Sequence, residues 1–234
     1  MEFSGEGLFL SRLNRFTVLI DTGGEKLKCH LHDTGRIDHV LAPGRSAVLY
    51  RSVVGRLGRA TQCDVVAGID PSGVVVVLDS RVPNALFSKA YREVLGDPDA
   101  ELIREPTLQG ARLDFLVSGS QGLWAVEVKG VNLSDGGVGR FPNAPSQRAL
   151  RHLEVLARLA REGVRPAMIF VALRGDINVF APHRRVDQRF ASLACSLRGV
   201  VGMIGVRVRI EIEEENRGGY VCVNYEGTAP FTCI

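Results

Sequence analysis

Three side chains stand close enough along the chain to share one reaction: Asp114, Glu127 and Lys129. They fall in two apolar-alternating stretches, Arg112 to Val117 and Leu123 to Lys129, separated by Ser118 to Gly122. Side chains alternate along a strand, so Leu113, Phe115 and Val117 share one face of the first stretch, and Trp124, Val126 and Val128 one face of the second. An antiparallel hairpin buries both rows together when 113 opposes 128, 115 opposes 126 and 117 opposes 124; a slip of one residue would expose a whole row. The same register sets Asp114 opposite Glu127, Arg112 opposite Lys129 and Leu116 opposite Ala125. Opposed carboxylates, roughly 4.5–5.5 Å apart at Cβ, repel unless a cation lies between them. Mg²⁺, or Mn²⁺ in its place, takes oxygen ligands from one or two carboxylates and completes its shell with water and phosphate oxygens. Lys129 projects from the same face as Glu127, where it could hold or deprotonate an attacking water and counter the charge of a phosphate. The same residues also admit a simpler account, with Glu127 and Lys129 an ion pair on a solvated sheet face and Asp114 paired to Arg112.

The elements that must hold these groups are legible in outline. Residues 1 to 80 read as short strands broken by turns: Phe16 to Ile20, Leu27 to Leu31, Ser46 to Val54, Cys63 to Ile69 and Val74 to Leu78. From Leu27 to His32 the odd positions are apolar and the even ones Lys or His. About five strands in this length suit a small Greek-key barrel of the oligonucleotide/oligosaccharide-binding (OB) type. Pro83-Asn84 marks the boundary, with Asn84 capping a helix over Ala85 to about Leu95. Two units follow, 1–82 and 83–234. In the second, the hairpin leads into a helix over about Ser146 to Glu162, a strand over Ala167 to Leu173, a helix over about Gln188 to Arg198, and strands near Met203 to Ile212 and Tyr220 to Val223. Strands and helices interleave, which makes this unit α/β, with a helical crossover from Leu123–Lys129 to Ala167–Leu173.

Composition narrows the function classes. An apolar share of 45% with 24% charged residues is that of a globular chain able to bury a core. Apolar runs such as Val74 to Leu78 and Met168 to Leu173 fall far short of the roughly 20 residues of a bilayer helix, and no basic residue precedes an apolar stretch at the start of the chain. A cytoplasmic protein without membrane association or organic cofactor is expected. Cys29, Cys63, Cys195, Cys222 and Cys233 contain no Cys-x-x-Cys and read as buried, unpaired thiols rather than a zinc site, a hyperthermophilic source being the exception that would favour disulfides. The net charge of +3 permits nucleic-acid binding without requiring it. Between Val40 and Gln62 the ionic side chains are Arg45, Arg51, Arg56 and Arg59, a local cationic patch suited to a phosphate backbone. Few aromatics accompany it, Phe3, Phe9, Phe16 and Tyr50 before Val54, which disfavours base stacking. Basic positions are written as 25 Arg against 4 Lys, so a lysine at 129 suggests a need for a compact, deprotonatable ammonium.

Downstream of the hairpin stand Phe141-Pro142-Asn143-Ala144 and Ser146-Gln147-Arg148-Ala149-Leu150-Arg151-His152-Leu153. Together with Ala111-Arg112-Leu113-Asp114-Phe115 and Val126-Glu127-Val128-Lys129, this order of motifs resembles the sugar fermentation stimulation (SfsA) family. Leu31-His32-Asp33-Thr34-Gly35-Arg36-Ile37 and Pro83-Asn84 extend the resemblance over most of the chain. Departures from the family pattern, Asn143 for Asp, Ala149 for Gly, and a barrel motif lacking its Cys and Pro and carrying Asp33 for Asn, leave Asp114, Glu127 and Lys129 untouched.

The resemblance implies an OB-like barrel followed by an α/β domain of the PD-(D/E)xK nuclease type, with DNA as partner. Asp114 and Glu127 are then the metal ligands and Lys129 the motif lysine. Arg148 and His152, four apart on one helical face, are expected to join the site, and Arg148 and Arg151 to contact DNA with the barrel arginines. Arg158, Arg161, Arg184, Arg185 and Arg189 could prolong that track. Glu105, or less favourably Glu93, is the candidate for an upstream acidic ligand. The chain is accordingly expected to be a Mg²⁺-dependent endo- or exodeoxyribonuclease. The alternative is a DNA-binding regulator of sugar (maltose) metabolism that keeps a nuclease-like fold without catalysis; a barrel that binds RNA or carbohydrate is a third.

Overall fold

The computed structural model describes residues 1–53, 58, 60–215 and 218–234. Arg56 and Arg59 of the expected cationic patch lie outside the described residues. By compactness the chain divides into two units. The first holds Met1–Val82, Leu173–Asp176 and Val208–Asn224, and the second Pro83–Ala172, Ile177–Arg207 and Tyr225–Ile234.

The first unit is built on β1 (Glu2–Phe3), β2 (Gly5–Asn14), β3 (Thr17–Asp21), β4 (Lys26–His30), β5 (Ala47–Ser52), β6 (Cys63–Ile69) and β7 (Val75–Val77). The strands run in the order β4-β3-β2-β5-β6-β7, and a parallel pairing of β4 with β6 closes the sheet into a barrel. The alternation in β4 decides which side faces in: Leu27, Cys29 and Leu31 are buried with Val18, Ile20, Val48 and Val65, while Lys26 and Lys28 point to solvent. β2, which has no counterpart among the strands expected from Phe16 onward, is the longest strand of this barrel. Register shifts at Phe9/Ser11 and Arg12/Asn14 let it bend, as bulges do. A second cluster, with Phe3, Leu49, Val66, Val77, Leu173 and Val221, packs residues that the barrel interior does not take.

The expectation of unpaired thiols does not hold. Cys29 and Cys63 are joined by a disulfide, as are Cys195 and Cys233, and Cys222 is free. The pairs are 34 and 38 residues apart in sequence, so short-spacing motifs give no sign of them. Barrel closure is what makes Cys29 and Cys63 direct neighbours across β4 and β6.

The second unit begins with α1 (Val82–Leu95), followed by β8 (Glu101–Arg104), β9 (Thr107–Leu108), β10 (Ala111–Arg112), β11 (Phe115–Gly119), β12 (Gly122–Val131), β13 (Ser134–Asp135), β14 (Val138–Phe141), α2 (Gln147–Ala160), β15 (Arg165–Ala172), β16 (Val179–Pro182) and α3 (Gln188–Ser196). Two long strands complete the chain, β17 (Gly202–Glu215) and β18 (Gly218–Pro230), each divided between the two units. The sheet order within this unit is β17-β15-β12-β11-β8; β12, β15 and β17 are parallel to one another, and β11 and β8 antiparallel. The helical crossover from β12 to β15 is therefore present. β14 and β16 form a separate small sheet with β13.

α1 starts three residues earlier than expected. Pro83 sits in its first turn, where the missing N–H costs nothing, so Asn84 is inside the helix and is not its cap. Leu86, Phe87, Ala90, Tyr91 and Val94 bury one face, and Phe87 meets Phe115 of β11 at 5.2 Å between ring centres. In α2, Ser146 is the N-cap and accepts the Ala149 N–H at 3.1 Å. Leu150, Leu153 and Leu156 bury the stripe that packs α2 on β12 and β15. Gly163, with φ of 81°, ends the helical segment. No helix among the described residues is long and apolar enough to cross a membrane.

Candidate active site

The hairpin register is the one the apolar rows demand: Phe115 pairs with Val126, Val117 with Trp124, and Leu116 with Ala125. The ladder stops there. Asp114 and Arg112 are not opposed to Glu127 and Lys129 as strand partners. Arg112 instead pairs with Thr107 in the β9–β10 hairpin, and its guanidinium binds Glu105 at 2.8 Å. The proposed Arg112–Asp114 ion pair is thus also replaced. Beyond Phe115 the rung is completed by a side chain: Asp114 Oδ2 accepts the Val128 N–H at 2.8 Å. The carboxylate is thereby tied to the main chain one residue past Glu127.

Asp114 Oδ1 accepts a second hydrogen bond, from Asn84 Nδ2 at 2.8 Å. Sequence reasoning gave Asn84 a helix-capping role and missed this one; the Pro-Asn pair that matches the family pattern was the available signal. Each oxygen of Asp114 keeps a free lone pair. Burial, and then the charge of Glu127, push its carboxyl above the usual carboxylate range, against the pull of the Val128 N–H and Asn84.

Glu127, on β12, is 1% exposed. Its Oε1 is in contact with Lys129 Nζ and with Nδ1 of His152, which α2 brings down on its buried face. Burial alone would raise the Glu127 carboxyl; the imidazole and the ammonium overturn that and hold it below the usual range. Its other oxygen, Oε2, is buried and has no hydrogen-bond partner. A buried carboxylate oxygen without a donor is costly, and it lies beside a second carboxylate whose ionisation it penalises. A divalent cation would satisfy both. No group of three or more His, Cys, Asp and Glu side chains among the described residues is arranged to hold a metal. Two carboxylates form an open, oxygen-only donor set of the kind a hard divalent cation takes, not a closed site of zinc type.

A cavity of about 700 Å³ opens at His152, lined by Arg112, Arg148, Arg151 and Arg189 with Gly110 and Gln147. All four arginines are exposed. Helical spacing puts Arg148 and His152 one turn apart, so the structure brings Asp114, Glu127, Lys129 and His152 together and Arg148 and Arg151 to the rim. Glu105, whose N–H donates to the Asp114 carbonyl at 2.8 Å, is 63% exposed at its side chain and paired there with Arg112, and Glu93 is exposed on α1. In the barrel, Arg45 is exposed and Arg51 binds Asp64 at 3.1 Å.

Both units have counterparts among known proteins. A family model described as "Sugar fermentation stimulation protein RE domain" matches residues 81–214, and one described as "SfsA N-terminal OB domain" matches residues 10–77. A sugar fermentation stimulation protein homolog of Moorella thermoacetica is 40% identical over 79% of this chain and 80% of its own length. One from Desulfitobacterium hafniense is 30% identical over 93% of this chain and 95% of its own. The structure of Pyrococcus furiosus SfsA in complex with Ca²⁺ superposes with a TM-score of 0.81 at 27% identity, covering 99% of this chain and 98% of that one.

Proposed function

We propose that this chain, which belongs to the sugar fermentation stimulation protein family, is a divalent-metal-dependent DNA phosphodiesterase. The observation that carries the reading is the unpartnered Oε2 of buried Glu127, set beside Asp114 next to an arginine-lined cavity. The Ca²⁺ in the Pyrococcus furiosus relative supports a divalent ion. Mg²⁺ or Mn²⁺ held by Asp114 and Glu127 would supply Lewis-acid charge at the scissile phosphate.

The remaining work falls to the chain's own groups. Asn84 and the Val128 N–H hold the Asp114 carboxylate in place, so it needs no reorganisation. Lys129 gives one N–H to Glu127 and keeps two, enough to hold an attacking water and offset charge on the phosphate. His152 orients Glu127 from the helix side. Arg148 and Arg151 bind the flanking phosphodiester backbone, which sets its register without reading sequence.

One observation favours a second reading, a DNA-binding regulator of sugar metabolism without catalysis. Lys129 and His152 both face Glu127 Oε1, so the carboxylate is offset in part by the protein itself. A single experiment separates the two. Single- and double-stranded DNA are incubated with the protein and Mg²⁺ or Mn²⁺, beside Asp114→Ala, Glu127→Ala and Lys129→Ala. Metal-dependent cutting lost in each variant supports the phosphodiesterase; retardation in gels without cutting contradicts it and supports the regulator.

A further inference from the structure

The barrel carries a surface that the site in the second unit does not use. Phe16, in the turn between β2 and β3, leaves 48% of its surface exposed. Its ring lies parallel to that of His30, 6° between planes and 6.2 Å between centres, and the Arg15 guanidinium stands over it at 5.7 Å. His32 meets His30 edge-on at 4.5 Å. The strand register aligns these groups: Thr17 pairs with His30, His30 with Asp64, and Asp64 with Arg51, one row across β3, β4, β6 and β5. The acid in that row is offset from both sides, by Arg51 at 3.1 Å and by His32 Nε2 at 3.4 Å. Lys28, exposed and two residues from His30 on the same side of β4, adds positive charge.

An exposed aromatic ring backed by an imidazole and flanked by Arg15 and Lys28 is complementary to a nucleobase and its phosphate. Once the Arg15 guanidinium, now over the ring, turns to a phosphate, the ring offers a stacking face that suits any base, and the cations suit the backbone. Bases in a duplex stack on one another and have no free face, whereas a single strand presents them. We propose that this side of the barrel binds single-stranded nucleic acid by stacking a base on Phe16, with His30 holding the ring and Arg15 and Lys28 on the adjoining phosphates. The sparse aromatics of the barrel sequence concealed this, because two of the three participating rings are histidines. The proposal rests on the reading of the chain as a nucleic-acid-binding protein, and on nothing in the metal site.

Fluorescence anisotropy tests it in the presence of EDTA, which excludes metal-dependent cutting. The probes are a labelled oligothymidylate of about 16 nucleotides, the upper range for one OB barrel, and a duplex of the same length. Phe16→Ala is expected to weaken oligothymidylate binding about tenfold and to leave duplex binding unchanged; Phe16→Trp restores the first. Leu13→Ala, which removes another exposed apolar side chain, leaves both unchanged. Equal affinity of Phe16→Ala and wild type for the oligothymidylate, or an equal loss on both probes, overturns the proposal. Duplex binding without oligothymidylate binding overturns the stacking alone, and binding of neither probe overturns the nucleic-acid reading with it.

Discussion

The side chain of Asp114 accepts the main-chain N–H of Val128 at 2.8 Å, at the point where the β11–β12 ladder has ended. This bond places a carboxylate beside Glu127 with Asn84 as its second anchor, and it fixes the charge in a buried setting that disfavours it. A group whose folded pKa is raised stabilises the fold below its unfolded value, near 4 for Asp, and loses that contribution as the pH rises through the folded value. Above that value an ionised Asp114 is therefore a strain on the metal-free protein. Asp114→Asn is expected to remove cleavage and yet raise the melting temperature in EDTA. A relief of about 1 kcal/mol corresponds to roughly 2–4 °C in a chain of this size. The gain should shrink as the pH falls through the raised value of Asp114, because the wild-type carboxyl is then neutral too. Calorimetric scans from neutral to acid pH check this.

Glu127→Gln is expected to move stability the other way. The Glu127 carboxyl is held low by His152 and Lys129 despite its burial, so its contribution is present above the unfolded value and is lost as the pH falls through the folded one. Removing one member of a buried charge cluster leaves the others without a counter-ion and costs about 3 kcal/mol or more. Urea unfolding at neutral pH should show that loss, and the difference from wild type should narrow in acid. Two carboxylates in one site, changed alike to their amides, thus shift stability in opposite directions.

The arginines at the cavity rim are expected to act through phosphates. Arg148→Ala and Arg151→Ala each should reduce the slope of log K against log salt by about 1 for duplex DNA, with the same weakening for unrelated sequences. A change in sequence preference would contradict a backbone role.

Thiol titration checks the disulfides. The denatured, unreduced chain is expected to show one reactive thiol, Cys222, and the reduced chain all five cysteines. Cys29→Ser with Cys63→Ser removes the covalent closure of the barrel, and a loop of this length corresponds to about 4 kcal/mol in the chain-entropy account.

Much of the second unit was legible because its signals are local. Alternating apolar rows at 113–117 and 124–128 set the hairpin register, and the Leu150–Leu153–Leu156 stripe set the face of α2 that carries His152. The failures share a cause. The sheet register was extended past Phe115, but Leu113 donates its N–H to Pro106 and Arg112 enters another hairpin, a departure set by tertiary contacts. Asn84 was read as a cap because its partner lies 30 residues away. Cys29 and Cys63 likewise become neighbours only when the barrel closes.

Isothermal titration of Mn²⁺ into the metal-free protein tests the central claim most directly. The account predicts a single saturable binding event in wild type that is absent from Asp114→Asn and from Glu127→Gln, each first shown to be folded by circular dichroism. No heat of binding in wild type, or an unchanged isotherm in the two variants, would contradict a cation site between Asp114 and Glu127.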